Sequence, residues 1–189
     1  MYNYLQYQQE NGTATITLNR PEVYNAFNDG LTFEVQQALK EVKKDPEVRV
    51  VVITGAGKAF CSGQDLKEAS EHPGRVFSES IHQRYNPMIK MIRTLPKPVI
   101  CRLNGVAAGA GCSLALACDI ILAAESATLI EVFINIGLVL DSGSSYFLPR
   151  AVGYTRAFEL STMGSRVSAR QALEWGMVNG VAPLQQLDE

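Results

Sequence analysis

Lys97-Pro-Val-Ile-Cys-Arg-Leu-Asn-Gly-Val-Ala-Ala-Gly-Ala-Gly-Cys112 carries the signals that decide the fold. Val99–Leu103 is a short, largely apolar run and reads as a strand. Asn104-Gly105 is a turn pair, and small residues dominate Ala107–Ala117, which predicts a tightly packed helix. Upstream, Val48-Arg-Val-Val-Val-Ile-Thr54 is a near-continuous β-branched run, as expected of a strand covered on both faces. A helical stretch around Ile81–Arg93 separates the two. Nearer the N-terminus, Asn11-Gly12 joins two alternating runs into a hairpin. Leu31, Val35, Ala38, Leu39 and Val42 then form one stripe of a helix over Asp29–Lys44, which Asp45-Pro46 ends. Downstream, Ile120–Ala123 and Thr128–Phe133 are strand candidates. Helices follow near Ser144–Val152, Arg156–Thr162 and Ala169–Trp175, the last opened by a capping box from Ser168 to Gln171. Such alternation predicts an α/β fold with a parallel sheet, as a single domain over residues 1–189. Glu68–Ser80, polar and holding Pro73-Gly74, is the most loop-like part.

Composition narrows the function. Of 189 residues, 47% are apolar and 19% charged, so a sizeable core is expected and disorder is excluded. A net charge of −2 supplies no polycationic face, so no nucleic-acid partner is expected. No apolar run reaches the roughly 18 residues that would span a bilayer. Met1–Glu10 also lacks a signal-peptide layout, so no membrane partner is expected and the location reads as cytoplasmic. Cys61, Cys101, Cys112 and Cys118 form no C-x-x-C pair, and His72 and His82 are the only histidines. No metal site is expected, and the cysteines read as buried thiols.

Three nucleophile or phosphate motifs fail on inspection. Gly55-Ala-Gly-Lys58 follows a strand, but a phosphate loop needs Gly where Val52 stands and Ser or Thr where Ala59 stands. A dinucleotide fingerprint fails at Phe60, and again at Leu114 for Gly109-Ala-Gly111. Gly111-Cys-Ser-Leu-Ala115 lacks the closing glycine of a nucleophile elbow, and both histidines precede Ser113. Ser113 therefore reads as a small helix residue at a crowded contact.

Two glycine-rich strand-to-helix junctions remain, Ala59–Leu66 and Asn104–Cys112. Each leaves the donors of a first helical turn free, and two converging donors make an oxyanion hole able to stabilise an enolate. Glycine also serves tight helix–strand packing, and the residues alone leave both readings open. Asp141, at the start of a predicted helix, reads first as a cap of that helix, with a catalytic base as the alternative. Glu125 and Glu131 read as solvated or ion-paired carboxylates. Arg20, Lys58, Lys67 and Arg102 read as solvated cations within reach of an anionic ligand.

With these segments in view, the chain resembles the crotonase, or enoyl-CoA hydratase/isomerase, superfamily. The resemblance is carried by Leu18-Asn-Arg-Pro-Glu-Val-Tyr-Asn-Ala-Phe27, Phe60-Cys-Ser-Gly-Gln-Asp-Leu66 and Lys97–Cys112. Cys118-Asp-Ile120, Ile136-Gly-Leu-Val-Leu-Asp-Ser-Gly143, Leu148–Gly153 and Ala172–Met177 continue it in order. It implies a crotonase-like spiral of β-β-α units. It also implies a coenzyme A thioester as substrate, with no permanently bound cofactor, and a homotrimer or dimer of trimers. The oxyanion donors become the N–H groups of Gln64 and Ala110. Cys61, Ser62, Gly63, Gln64, Asp65 and Leu66 become the coenzyme A contact region, while Asp65 itself reads as the cap of the next helix. Phe133, Leu138 and Leu140 become the acyl pocket.

Family hydratases use two glutamates, whose positions match Ser113 and Phe133 here, and neither residue can act as acid or base. Asp141 matches the aspartate that shuttles the proton in the branch holding the phenylacetate-pathway ring-epoxide isomerase and related enoyl-CoA isomerases. Leu140 stands where that branch usually has proline. The implied function is an isomerase acting through Asp141. The alternatives are an enoyl-CoA hydratase and a non-catalytic acyl-CoA-binding truncated subunit. Pro183–Glu189 reads as the opening of a helix, so the resemblance implies a core lacking its C-terminal helical segment.

Overall fold

The computed structural model describes residues 1–71, 74 and 76–188. The readings of His72 and Pro73 lie outside the described residues. Strands β1 (Leu5–Glu10) and β2 (Thr13–Leu18) form the expected hairpin, and Asn11 and Gly12 take the two positive φ angles, 51° and 81°, that such a turn requires. Parallel strands β3 (Val50–Gly55), β5 (Val99–Leu103), β7 (Ile120–Ala124) and β10 (Gly180–Ala182) extend this sheet in the order β1-β2-β3-β5-β7-β10.

A second sheet holds β4 (Ala59–Cys61), β6 (Val106–Ala108), β8 (Thr128–Ile130) and β9 (Arg166–Ser168) in that order. Strands β3, β5 and β7 each pass after a short connection into β4, β6 and β8 of this second sheet, and helical structure follows. Helices α1 (Asp29–Lys44), α2 (Leu66–Glu71), α3 (Phe77–Ser80), α4 (Asn86–Arg93) and α5 (Ala110–Ala117) precede the last strands. Helices α6 (Ser144–Val152), α7 (Tyr154–Met163) and α8 (Ala169–Glu174) complete the described set. The result is a spiral of β-β-α units.

Local chemistry fixes the helix ends. The Asn28 side chain accepts from the Leu31 N–H at the start of α1, whose apolar stripe is buried throughout. Ser168 and Gln171 form the capping box of α8. All eight residues of α5, six of them small, are buried where the helix packs against β4 and β6 of the second sheet, α4 and α6. The four cysteines are buried free thiols. No described helix is long and apolar enough to cross a membrane.

Four readings are corrected. Helix α5 begins at Ala110 rather than Ala107, because Val106–Ala108 pairs with both β4 and β8. The strand expected over Thr128–Phe133 stops at Ile130, where the chain coils into a 3₁₀ helix, Val132–Ile136. The polar stretch Glu68–Ser80 contributes to α2 and α3, the first capped by Asp65. The tail forms a 3₁₀ turn, Leu184–Gln186, that folds Leu187 into the core while Asp188 pairs with Arg102 at 2.6 Å.

Two buried asparagines lock the entry to the second sheet. Asn25 and Asn104 both donate to the Ala59 carbonyl, at 2.9 and 3.1 Å, and Asn104 Oδ1 accepts from the Gly55 N–H at 3.1 Å. Asn104→Ala strands these buried partners, and a loss of about 1–3 kcal/mol is expected in urea unfolding. An unchanged midpoint and slope would contradict this role.

Candidate active site

Parallel pairing of β4 with β6 sets the two glycine junctions side by side. At Gly63, φ is +90°, and a Cβ there would lie 2.7 Å from the Ala108 carbonyl oxygen and 3.4 Å from the Ala110 nitrogen. Only glycine permits this approach. Gly109, at φ 52° and ψ −123°, turns the chain from β6 into α5. The Phe27 N–H donates to the Gly63 carbonyl and the Asp65 N–H donates to the Phe27 carbonyl, so the Gln64 N–H points to the other side of this extended segment. The Ala110 N–H opens α5 and has no intrahelical acceptor. Gln64 and Ala110 line one cavity of about 460 Å³.

Leu66, Val132, Phe133, Ile136 and Leu138 make much of that cavity apolar. A π-helical turn, Ile81–Tyr85, adds two consecutive residues, Arg84 and Tyr85, to its wall. The Arg84 guanidinium is 3.0 Å from Asp29 and also donates to Thr32 Oγ1, so its charge is matched on the protein side. The Tyr85 hydroxyl donates to Gln64 Oε1, while Gln64 Nε2 donates to the Asp65 carbonyl at 3.2 Å. Both ends of the Gln64 side chain are thereby fixed.

Among the described residues, Asp141 is the one carboxyl on the cavity wall. It does not cap α6, which starts at Ser144 with no side-chain cap. Its Oδ1 instead accepts from the Ser142 hydroxyl at 2.8 Å. Its carbonyl accepts from the Ser144 N–H at 2.9 Å and the Ser113 hydroxyl at 3.3 Å. Burial raises the Asp141 pKa above the ordinary carboxylate value, and the Ser142 hydrogen bond opposes that shift. Ser113 is fully buried, the crowded contact its sequence suggests.

Of the other expected site residues, Ser62, Gly63, Leu66, Phe133 and Leu138 line the cavity. Cys61 is buried behind the wall, where desolvation pushes its thiol up to about 12. Asp65 turns away to cap α2 and pair with Arg20 at 2.9 Å. Leu140 packs against the core rather than the cavity. Sequence reasoning missed Arg84 and Tyr85, since a π-turn breaks the helical period from which faces are read.

It also misplaced Glu131, which is 1% exposed rather than solvated. Its Oε1 accepts from the Ser144 hydroxyl at 2.6 Å, and burial raises its pKa to about 7. The available signal was its setting, a single charge inside Leu129-Ile-Glu-Val-Phe133.

The sequence pattern of the family described as enoyl-CoA hydratase/isomerase matches residues 8–189. The chain belongs to the enoyl-CoA hydratase/isomerase family. It is 45% identical over 172 residues to 1,2-epoxyphenylacetyl-CoA isomerase of Escherichia coli K12, covering 89% of this chain and 66% of that protein. It is 39% identical over 182 residues to a probable enoyl-CoA hydratase of Rhodobacter capsulatus, covering 96% and 70%. The enoyl-CoA hydratase structure of Mycobacterium smegmatis superposes with a TM-score of 0.92 at 37% identity, covering 98% of this chain and 72% of that one. The crotonase-like α/β fold is thus shared with solved family members. The chain spans 66–70% of the length of these two relatives.

In this family member the buried Glu131 has a thermodynamic signature. Its folded pKa, about 7, exceeds the ordinary 4.5, so its favourable contribution is full below pH 4.5 and is lost as pH rises through 7. The interval corresponds to about 3 kcal/mol. Glu131→Gln is therefore expected to gain stability relative to the parent between pH 5 and 8, in urea melts across that range. Parallel curves for the two proteins would refute it.

Proposed function

We propose that the chain is an acyl-CoA isomerase that moves a double bond through Asp141. The carrying observation is that Asp141 is the one described carboxyl on a mostly apolar cavity that also receives the Gln64 and Ala110 junctions. The thioester carbonyl oxygen sits between the Gln64 and Ala110 N–H groups, which stabilise the negative charge of an enolate better than that of the ground-state carbonyl. The Asp141 carboxylate takes a proton from C2 of a 3-enoyl thioester. The dienolate electrons shift, and the carboxyl returns the same proton to C4, leaving the conjugated 2-enoyl thioester. One group acts first as base and then as acid, so no water is consumed. Desolvation of Asp141 among Phe133, Leu138 and Tyr85 suits it to accept the proton. Ser62, Gly63 and Leu66, which line the cavity, contribute the contacts to the coenzyme A portion.

The 45% identity to 1,2-epoxyphenylacetyl-CoA isomerase supports isomerase chemistry and extends the proposal to ring-epoxide thioesters. Ser113 and Phe133 at the two hydratase glutamate positions argue against water addition. The 39% identity to a probable hydratase favours that second reading, in which Asp141 activates a water. Loss of the conjugated absorbance of crotonyl-CoA on incubation with the protein would support it.

Asp141→Asn is expected to lower the rate of 3-enoyl to 2-enoyl conversion by about 10²–10⁴-fold, followed by the rise of ultraviolet absorbance. In the parent the acid limb of the rate profile should lie above 3.8, because burial holds the proton on Asp141 more tightly. Unchanged turnover in the variant would overturn the assignment.

A further inference from the structure

Glu131 is a buried carboxyl that the proposed proton transfer does not use. It faces the first turns of two helices at once. From α6, Ser144 donates its hydroxyl to Oε1 at 2.6 Å, and the Ser144 N–H donates to the Asp141 carbonyl at 2.9 Å. From α5, the Cys112 thiol lies beside the same carboxyl, two residues beyond Ala110. Glu131 Oε2 is sealed from solvent and has no hydrogen-bond partner among the described residues. The turn it braces holds Ser142 at φ 50°, a left-handed conformation costly for a non-glycine residue, and Gly143 offers α6 no side-chain cap. Leu140 leaves the approach to this turn without the rigidity of a proline.

We propose that Glu131 is a positioning residue: by holding the first turns of α5 and α6 together, it sets the placement of the Asp141 carboxyl relative to the Ala110 N–H. This rests on the isomerase reading for its catalytic consequence, but not for its geometry. A carboxyl between two helix N-termini sits where their dipoles favour negative charge, while burial favours the neutral form. The titratable groups facing it are Cys112 from α5 and Asp141 from the turn. Asp141 in turn faces Tyr85 across the cavity. Ionisation of Glu131 with rising pH therefore places a second negative charge near the base and strengthens its hold on a proton.

The test uses the full chain with Glu131→Gln, Glu131→Leu, Ser144→Ala and Asp141→Asn. Glutamine keeps an acceptor for Ser144, so kcat near pH 6 should stay within about threefold of the parent, and the inflection near pH 7 should vanish. Leucine and Ser144→Ala remove the brace, and kcat should fall about 10–100-fold with KM little changed. Their effects should be non-additive when combined. Carboxyl ¹³C NMR of labelled aspartate, with the Asp141 signal assigned by its absence in Asp141→Asn, gives a readout independent of turnover. The Asp141 signal should shift or broaden in Glu131→Leu and Ser144→Ala. Folded Ser144→Ala with parental kcat and an unshifted Asp141 signal overturns the inference, even if Glu131→Leu fails to fold. Full activity of Asp141→Asn overturns the isomerase reading instead, and the comparison of Asp141 signals in the Glu131→Leu and Ser144→Ala variants still decides the role of Glu131.

Discussion

The site depends on the backbone contact between Gly63 and the Ala108–Ala110 segment. Parallel strands that end together release their chains in the same direction, and β4 and β6 do so next to each other. With no side chain at Gly63, the two exits approach to a distance at which a methyl group would clash with the Ala108 carbonyl. Both junctions then feed backbone donors into one cavity. Backbone donors fixed by sheet pairing need no reorganisation during a reaction, which is the property an oxyanion site requires.

Much of the rest of the fold supports that contact. Asn25 and Asn104 hold the Ala59 carbonyl at the start of β4, so the strand cannot slide past β6. The small residues of α5 let the helix lie close behind the junction. Tyr85 fixes the Gln64 side chain from the opposite wall. Across the cavity, the Asp141 turn is held by Ser113, Ser142 and Ser144, three hydroxyl residues whose hydrogen bonds reach its carbonyl, its carboxyl and Glu131.

The alternatives left by the residues are resolved unevenly. Asp65 satisfies its capping role fully and so leaves the cavity. Asp141 has the same residue type at a similar helix start, yet its carboxyl caps nothing and faces the cavity instead. A residue type at a helix start cannot distinguish these outcomes, because the orientation of the carboxyl is set by the turn preceding the helix. Glu131 shows the same limit from the other side. Charge alone suggested solvent, whereas packing between α5 and α6 gave it hydroxyl and thiol neighbours and a raised pKa.

Local patterns in the sequence determined the hairpin, the long strands β3 and β5, the end of α1, the capping box of α8 and the existence of two glycine junctions, because those features depend on neighbours a few residues apart. The family motif singled out Gln64, Ala110 and Asp141. Tertiary structure alone decided that β4, β6 and β8 form a second sheet, since three-residue strands carry too little pattern to be read. It also decided that Arg84 and Tyr85 reach the cavity and that Glu131 lies beneath the Asp141 turn. Those placements arise from contacts between segments separated by tens of residues, and their physical origin is close packing of α5 against the second sheet and α6 rather than any local propensity.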